Sequence, residues 1–233
     1  MPLAPKLLTE FVGTFIFLST IALSGAAGPL APLAIGSALM VMVYMGGHVS
    51  GGHYNPAVSF GAFLTGKIDL LTMATYWVAQ FLGRALAFVF GYLTSGRTPG
   101  IHPGPGVYVT SALVIEILFT LALVLVVLNA AATKATEGNS YYGLAIGFTI
   151  LVGAFTGGPI SGGAFNPAVG FGATLGSALF HNGSWAELWL YVVGPLVGAA
   201  IAAGIYGLQG WLPGTARQTL AGPDPGVGRA SRR

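Results

Sequence analysis

Two asparagines, Asn55 and Asn166, carry the clearest chemistry in this chain. Each is preceded by a Gly-Gly run and followed by Pro-Ala. The thirteen residues 50–62, Ser-Gly-Gly-His-Tyr-Asn-Pro-Ala-Val-Ser-Phe-Gly-Ala, return at 161–173 as Ser-Gly-Gly-Ala-Phe-Asn-Pro-Ala-Val-Gly-Phe-Gly-Ala, with ten of the thirteen positions identical. Asn is a preferred N-cap, because its side-chain oxygen can accept from the free N–H groups of a first helical turn. Proline in the first turn, here Pro56 and Pro167, suits a helix start because its missing N–H would have had no partner. Asn55 and Asn166 therefore each begin a helix. A helix N-terminus bears partial positive charge, so the pair can receive the oxygen of a neutral molecule and repel a cation.

Two further pairs stand out. Glu10 and Glu116 are carboxylates inside apolar runs, and each has a threonine four residues later: Glu10-Phe11-Val12-Gly13-Thr14 against Glu116-Ile117-Leu118-Phe119-Thr120. Carboxylates at membrane depth are functional candidates by default. The competing reading is that they hold polar backbone by hydrogen bonds. His48 and His53 flank the first asparagine motif, and the second copy has Ala164 where the first has His53. A proton relay and a hydrogen-bonded scaffold are both open to them; the scaffold is the reading adopted.

The elements that must position these residues are membrane spans. The chain has 233 residues, 54% hydrophobic and only 6% charged, with mean hydropathy +0.78. Soluble domains carry about a quarter charged residues, so this chain cannot clothe a water-facing surface. The formal charge of +3 implies no nucleic-acid partner, because the nine Lys and Arg are dispersed and four lie in the last 17 residues. Cysteine is absent, which removes disulfides and thiolate metal sites. No metal cluster, cofactor motif or Ser/His/Asp set appears, so no enzyme chemistry is expected.

Apolar runs predict spans at 7–27, 31–46, 71–94, 107–131, 142–154 or slightly beyond, and 186–209. About twenty residues cross a ~30 Å hydrocarbon core. The first run could also be a signal peptide ending near Ser24-Gly25-Ala26-Ala27, but Glu10 inside it argues for a span. Half-length helices are expected at 57–64 and from Asn166 to about 180. The expected organisation is a lead at 1–6, the first repeat and the start of the second over 7–131, the remainder of the second over 132–212, and a disordered tail over 213–233. Three spans and a half-helix, taken twice, force the copies into opposite orientations. Lys6, Lys67, Lys134 and the tail arginines fall on one side of this plan and Arg97 on the other. Both termini should be cytoplasmic by the positive-inside rule, in an integral membrane protein of the cell membrane. The fold class is thus all-α membrane protein: six spans and two half-helices meeting at the midplane.

The two Asn-Pro-Ala loops, the paired Glu-x-x-x-Thr spans and the Gly194-Pro195 of the last span resemble the aquaporin (major intrinsic protein) family, over about residues 5–210. The resemblance implies one pore per subunit, lined at its centre by Asn55-Pro56-Ala57 and Asn166-Pro167-Ala168, a homotetramer in the lipid bilayer, no cofactor, and passage of water and small neutral solutes. In the family, glutamates like Glu10 and Glu116 hold the signature loops. Carrying the outer constriction over by spacing gives Ile35, Ala154, Gly163 and Val169. Most members have Arg where this chain has Val169, so the resemblance implies a wider, more apolar filter, as in some plant vacuolar members. The glycerol subgroup usually has Asp at the next position, here Gly170. A solute-preferring channel for glycerol, urea, ammonia or hydrogen peroxide is the alternative, and an alternating-access transporter a remote one. Arg84 falls mid-span, where an unpaired charge is expensive. A buried pair with Glu10 or Glu116, or a subunit contact, is expected ahead of a pore role.

Overall fold

The computed structural model describes residues 1–96, 100–180 and 184–210, and every element among them is helical. Arg97, the turn expected from His181 and the tail from 213 lie outside the described residues. The helices are α1 (Leu3–Leu23), α2 (Ala31–Ser50), α3 (Pro56–Leu64), α4 (Leu70–Ser95), α5 (Val109–Val126), α6 (Tyr142–Thr156), the single turn α7 (Gly158–Ser161), α8 (Pro167–Phe180) and α9 (Leu188–Leu208). Six of these are spans; α3 and α8 are the two half-helices. The boundaries depart from the sequence reading where the polar loops begin. The first span ends at Leu23, and Ser24–Leu30 forms a tight turn kinked at Gly28 (φ 52°). The second span continues past Gly46 to Ser50, where Gly51 closes it in a left-handed conformation (φ 95°). The second half-helix has 14 residues against nine for the first. The fourth span ends in a wider π-turn over Val127–Ala131.

Packing follows the repeat. α1 lies along α4 and, in the other half, α5 lies along α9. The close approach in each pair is a glycine against a Glu-x-x-x-Thr helix. A Cβ on Gly83 would meet Phe11 O at 2.6 Å and Thr14 Cβ at 3.1 Å, and one on Gly198 would overlap Ile117 O and meet Thr120 Cβ at 3.1 Å. Small residues let membrane helices cross this closely, so Thr14 and Thr120 are packing residues of the crossing. α2 lies along α6, where Gly36 and Gly147 face each other's turns and join the two halves. The outer surface is apolar, with Val78, Leu82, Leu93, Val114 and Leu118 exposed, as lipid requires. At one end Lys67 Nζ donates to Ala132 O at 2.9 Å, and Thr133 and Tyr206 share a 2.8 Å hydrogen bond. These contacts put the Lys67 turn and the link between the halves on the same side.

Candidate functional site

Each asparagine motif starts with a backbone problem. Between the end of α2 and the start of α3, residues 51–55 are not helical, and neither are 162–166 before α8. Irregular backbone survives at membrane depth only if its polar groups find partners inside the protein or face a watery cavity. The two glutamates supply the partners. Glu10 Oε1 accepts from Ser50 Oγ (2.6 Å) and His53 N (3.0 Å), and its Oε2 accepts from Tyr54 N (2.8 Å) and Gln80 Nε2 (2.9 Å). Glu116 Oε1 accepts from Ser161 Oγ (2.7 Å) and Ala164 N (3.0 Å), and its Oε2 accepts from Phe165 N (2.7 Å). Both carboxylates are fully buried. Tyr76 and Tyr191 then fasten the helices before the loops, donating to Ser50 O at 2.8 Å and Ser161 O at 2.7 Å.

The residue before each asparagine has positive φ, 49° for Tyr54 and 47° for Phe165. Non-glycine residues rarely adopt this conformation, and it persists where the surroundings over-determine it. Here the glutamate holds the N–H and the ring is locked. Tyr54 is fully buried, fits against Gly13 and Gly46, and donates its hydroxyl to Met42 O at 2.9 Å. Phe165, also fully buried, packs on Gly153 and lies 5.3 Å from the ring of Phe119.

This twist brings the two loops into contact. Asn55 Oδ1 caps its own helix by accepting from Ala57 N (2.9 Å), and its Nδ2 donates to Phe165 O (2.9 Å) in the other repeat. Asn166 Oδ1 accepts from Ala168 N (2.9 Å), and its Nδ2 donates to Tyr54 O (3.0 Å). The exchange is reciprocal. An amide nitrogen carries two hydrogens, so each asparagine keeps one N–H beyond the cross-loop bond while its oxygen faces the helix it caps. Pro56, Ala57, Pro167 and Ala168 are buried beside this junction.

Both asparagines line one cavity of about 230 Å³. Ile35, Ala154, Gly163 and Val169 line the same cavity, together with His53 and the apolar side chains of Phe17, Leu39, Ile146 and Ile150. A second cavity, about 620 Å³, opens at the Lys67 end and is lined by His48, Gly51, Lys134, Glu137 and Asn139 among others. Gly51 lines one cavity and its neighbour Gly52 the other.

The remaining sequence candidates fare differently. His53 Nδ1 lies 3.0 Å from Ser59 Oγ, which also accepts from Gln80 Nε2 at 3.0 Å. His48 is exposed on the last turn of α2 and has no hydrogen bond to the loop, so the scaffold role expected of it is corrected to a position at the second cavity. Arg84 pairs with neither glutamate, and it is 2% exposed within the single chain. That corrects both expectations for it, because its burial needs no neighbouring subunit. Ile101 was missed. It sits in the Pro/Gly-rich segment between the spans expected at 71–94 and 107–131, yet it lines the first cavity, and Gly104 N donates to Ile160 O at 2.9 Å to hold the segment there. No periodicity marks a loop side chain that folds inward. Gln80 was missed as well; its position four residues after Tyr76, on the face that meets Glu10, is the signal that could have found it.

Six spans and two half-helices joined tip to tip at a cavity define a membrane channel protein of the aquaporin architecture. This chain belongs to the major intrinsic protein family, whose pattern matches residues 2–206. It is 40% identical to "Aquaporin TIP1-1" of Zea mays over 216 residues, covering 85% of this chain and 84% of that one. It is 38% identical to "Probable aquaporin TIP-type alpha" of Phaseolus vulgaris, covering 85% and 82%. Its fold matches the X-ray structure of the aquaglyceroporin from Plasmodium falciparum with a TM-score of 0.76 at 24% identity, over 88% of this chain and 96% of that one. It is an integral membrane channel of that family, and its relatives are not enzymes.

Proposed function

We propose that the chain conducts water and small uncharged solutes through the cavity shared by Asn55 and Asn166. The observation that carries this reading is the reciprocal use of the two amides. Their oxygens are turned to the N–H groups of their own helices, while one N–H of each amide remains to donate. A water molecule can give its oxygen to those donors. A cation finds no ligand there and meets the positive ends of α3 and α8. Water passing the pair has its oxygen held and cannot keep an unbroken proton wire aligned, so hydronium is rejected with the other cations.

Ile35, Ala154, Gly163 and Val169 form the outer filter in this reading. None is aromatic or charged, and selectivity follows pore diameter and the hydrogen-bonding groups on the wall. The filter therefore admits glycerol, urea, ammonia or hydrogen peroxide beside water. Glu10, Glu116 and His53 support the loops, four subunits assemble as a homotetramer, and both termini face the cytoplasm at the plasma membrane. Support for the orientation is the clustering of Lys67 and Lys134 at one end.

The test is side-by-side permeability to water, glycerol and urea in proteoliposomes. Val169→Arg should lower glycerol and urea flux at least tenfold while most of the water flux remains. Unchanged solute flux in that variant would remove the filter assignment. Flux that saturates with solute concentration would point to a carrier.

A further inference from the structure

Arg84 sits on α4 in the seam between α4 and α8. Its side chain is buried, and neither Nε nor Nη1 has a hydrogen-bond partner. Among the described residues the one ion pair is His102–Glu187 at the surface, so no carboxylate neutralises the guanidinium. The seam itself is apolar. Phe81 meets Phe171 edge to face at 5.4 Å, and Phe88 lies 5.7 Å from Phe180. Arg84 fits because Gly172 of α8 lacks a side chain: a Cβ there would overlap Nε.

The other repeat shows what this seam looks like without the charge. Gly83 and Gly198 are equivalent by their matching contacts with Thr14 and Thr120, which pairs Arg84 with Ala199. Gly172 pairs with Gly61 in the repeated thirteen residues, and a Cβ on Gly61 would lie 3.8 Å from Ala199 O. One repeat thus sets glycine against alanine, and the other sets glycine against an unpaired cation. Packing alone does not call for the arginine. Guanidinium stays protonated in proteins, and an unpaired charge at this depth is costly enough to mark a functional candidate.

The charge falls beside the half-helix that carries Asn166 and Val169, and Gly172 is three residues beyond Val169. We propose that Arg84 is a selectivity residue of the pore: a fixed positive charge that excludes cations from behind α8. The proposal rests on the channel reading above. It also explains how the mouth can be apolar and wide while cations stay out, since a charge behind the wall takes no space from the lumen. Acting across roughly one helix diameter, ~10 Å, at an effective dielectric of ~20, a unit charge is expected to change cation passage about tenfold, equivalent to ~1.4 kcal/mol.

Four proteins reconstituted in liposomes test it: wild type, Arg84→Met, Arg84→Lys, and Arg84→Met combined with Val169→Arg. Water flux is read by stopped-flow light scattering, and proton and sodium leak by entrapped dyes under a clamped potential. Arg84→Met should keep water flux within about twofold and raise cation leak about tenfold. Arg84→Lys should stay near wild type, and the double variant should return towards it. Equal leak in wild type and Arg84→Met overturns the proposal, and so does equal leak in the Met and Lys variants, which would trace the effect to packing. A Met variant that does not insert is replaced by Arg84→Gln, judged by the same two outcomes. Wild-type liposomes that conduct no water overturn the channel reading itself, and the charge argument with it.

Discussion

Around Asn55 the loop lies in a polar net. Ser59 Oγ bonds to both His53 and Gln80, and Gln80 Nε2 also donates to Glu10. At the matching places around Asn166 the chain has Ala164, Gly170 and Pro195, and Glu116 holds its loop with three donors where Glu10 has four. The bonds common to both repeats build the loop: the carboxylate, the serine, two backbone N–H groups and the crossed asparagines. What differs decorates it. The Asn55 loop spends its extra side chains on hydrogen bonds, whereas the Asn166 loop is lean and the half-helix that follows it has Arg84 of α4 against Gly172. Shared residues therefore build the architecture, and the unshared ones set how heavily each loop is braced.

The largest expected break comes from the shared part. Glu116→Leu leaves the N–H groups of Ala164 and Phe165 without an acceptor and the Ser161 hydroxyl with only its long 3.4 Å bond to Gly157 O, at ~1–3 kcal/mol for each stranded buried donor. Glu10→Leu strands a fourth donor, on Gln80. Both variants should lose the folded species in detergent, seen as loss of the monodisperse chromatographic peak, with Glu10→Leu the more severe. A stable, conducting Glu116→Leu would show that water can replace the carboxylate.

Next in size is Gly172→Ala, whose Cβ collides with Arg84; overpacking of this kind costs ~1–3 kcal/mol. Arg84→Ala should relieve it, so the double variant melts above the single. Gly61→Ala in the other repeat meets Val124 Cγ1 and should gain nothing from a change at Arg84. Equal rescue in both repeats would erase the asymmetry.

Smaller again is Ser59→Gly, which gives the first half-helix the residue that the second has at Gly170. It removes the hydroxyl that bonds to His53 and accepts from Gln80, costs ~1 kcal/mol in thermal stability, and should leave permeation of neutral solutes within about twofold of wild type. A large change in solute selectivity would make the polar net part of the filter.

The least effect is expected at Asp69, the N-cap of α4, which accepts from Thr72 N at 2.7 Å. Hydrogen bonds from the Thr72 side chain and backbone hold this carboxyl below the usual aspartate range. A depressed folded pKa gives stability that is fully present above the unfolded value of ~3.9 and is lost as pH falls through the folded value. Asp69→Ala should therefore lower Tm slightly at pH 7 and match wild type at pH 2, as followed by circular dichroism.

Most of the architecture was legible because membrane physics writes it in long runs. The spans, the caps at Asn55 and Asn166 and the inverted order follow from run length, Asn-Pro and repetition. The departures come from residues whose meaning is tertiary. Ser50 looks like the start of a loop, yet it is the last helical residue because Gly51 can take the left-handed turn after it. Ile101 lies in a segment with no pattern and turns inward because Gly104 bonds to Ile160. Arg84 resembled half of a buried pair, and only its cradle at Gly172 shows that it stands alone. Ile35, Ala154, Gly163 and Val169 line one cavity although they come from α2, α6, the second loop and α8.

The crossed bonds between Asn55 and Phe165, and between Asn166 and Tyr54, also constrain how the protein is made. The first loop carries a donor and a carbonyl whose mates lie more than a hundred residues downstream, in sequence the ribosome has not yet delivered. The first half must therefore wait in the bilayer with an unfinished tip until the second half arrives. The centre of the molecule closes only once the second loop is made, and neither half expressed alone can complete it.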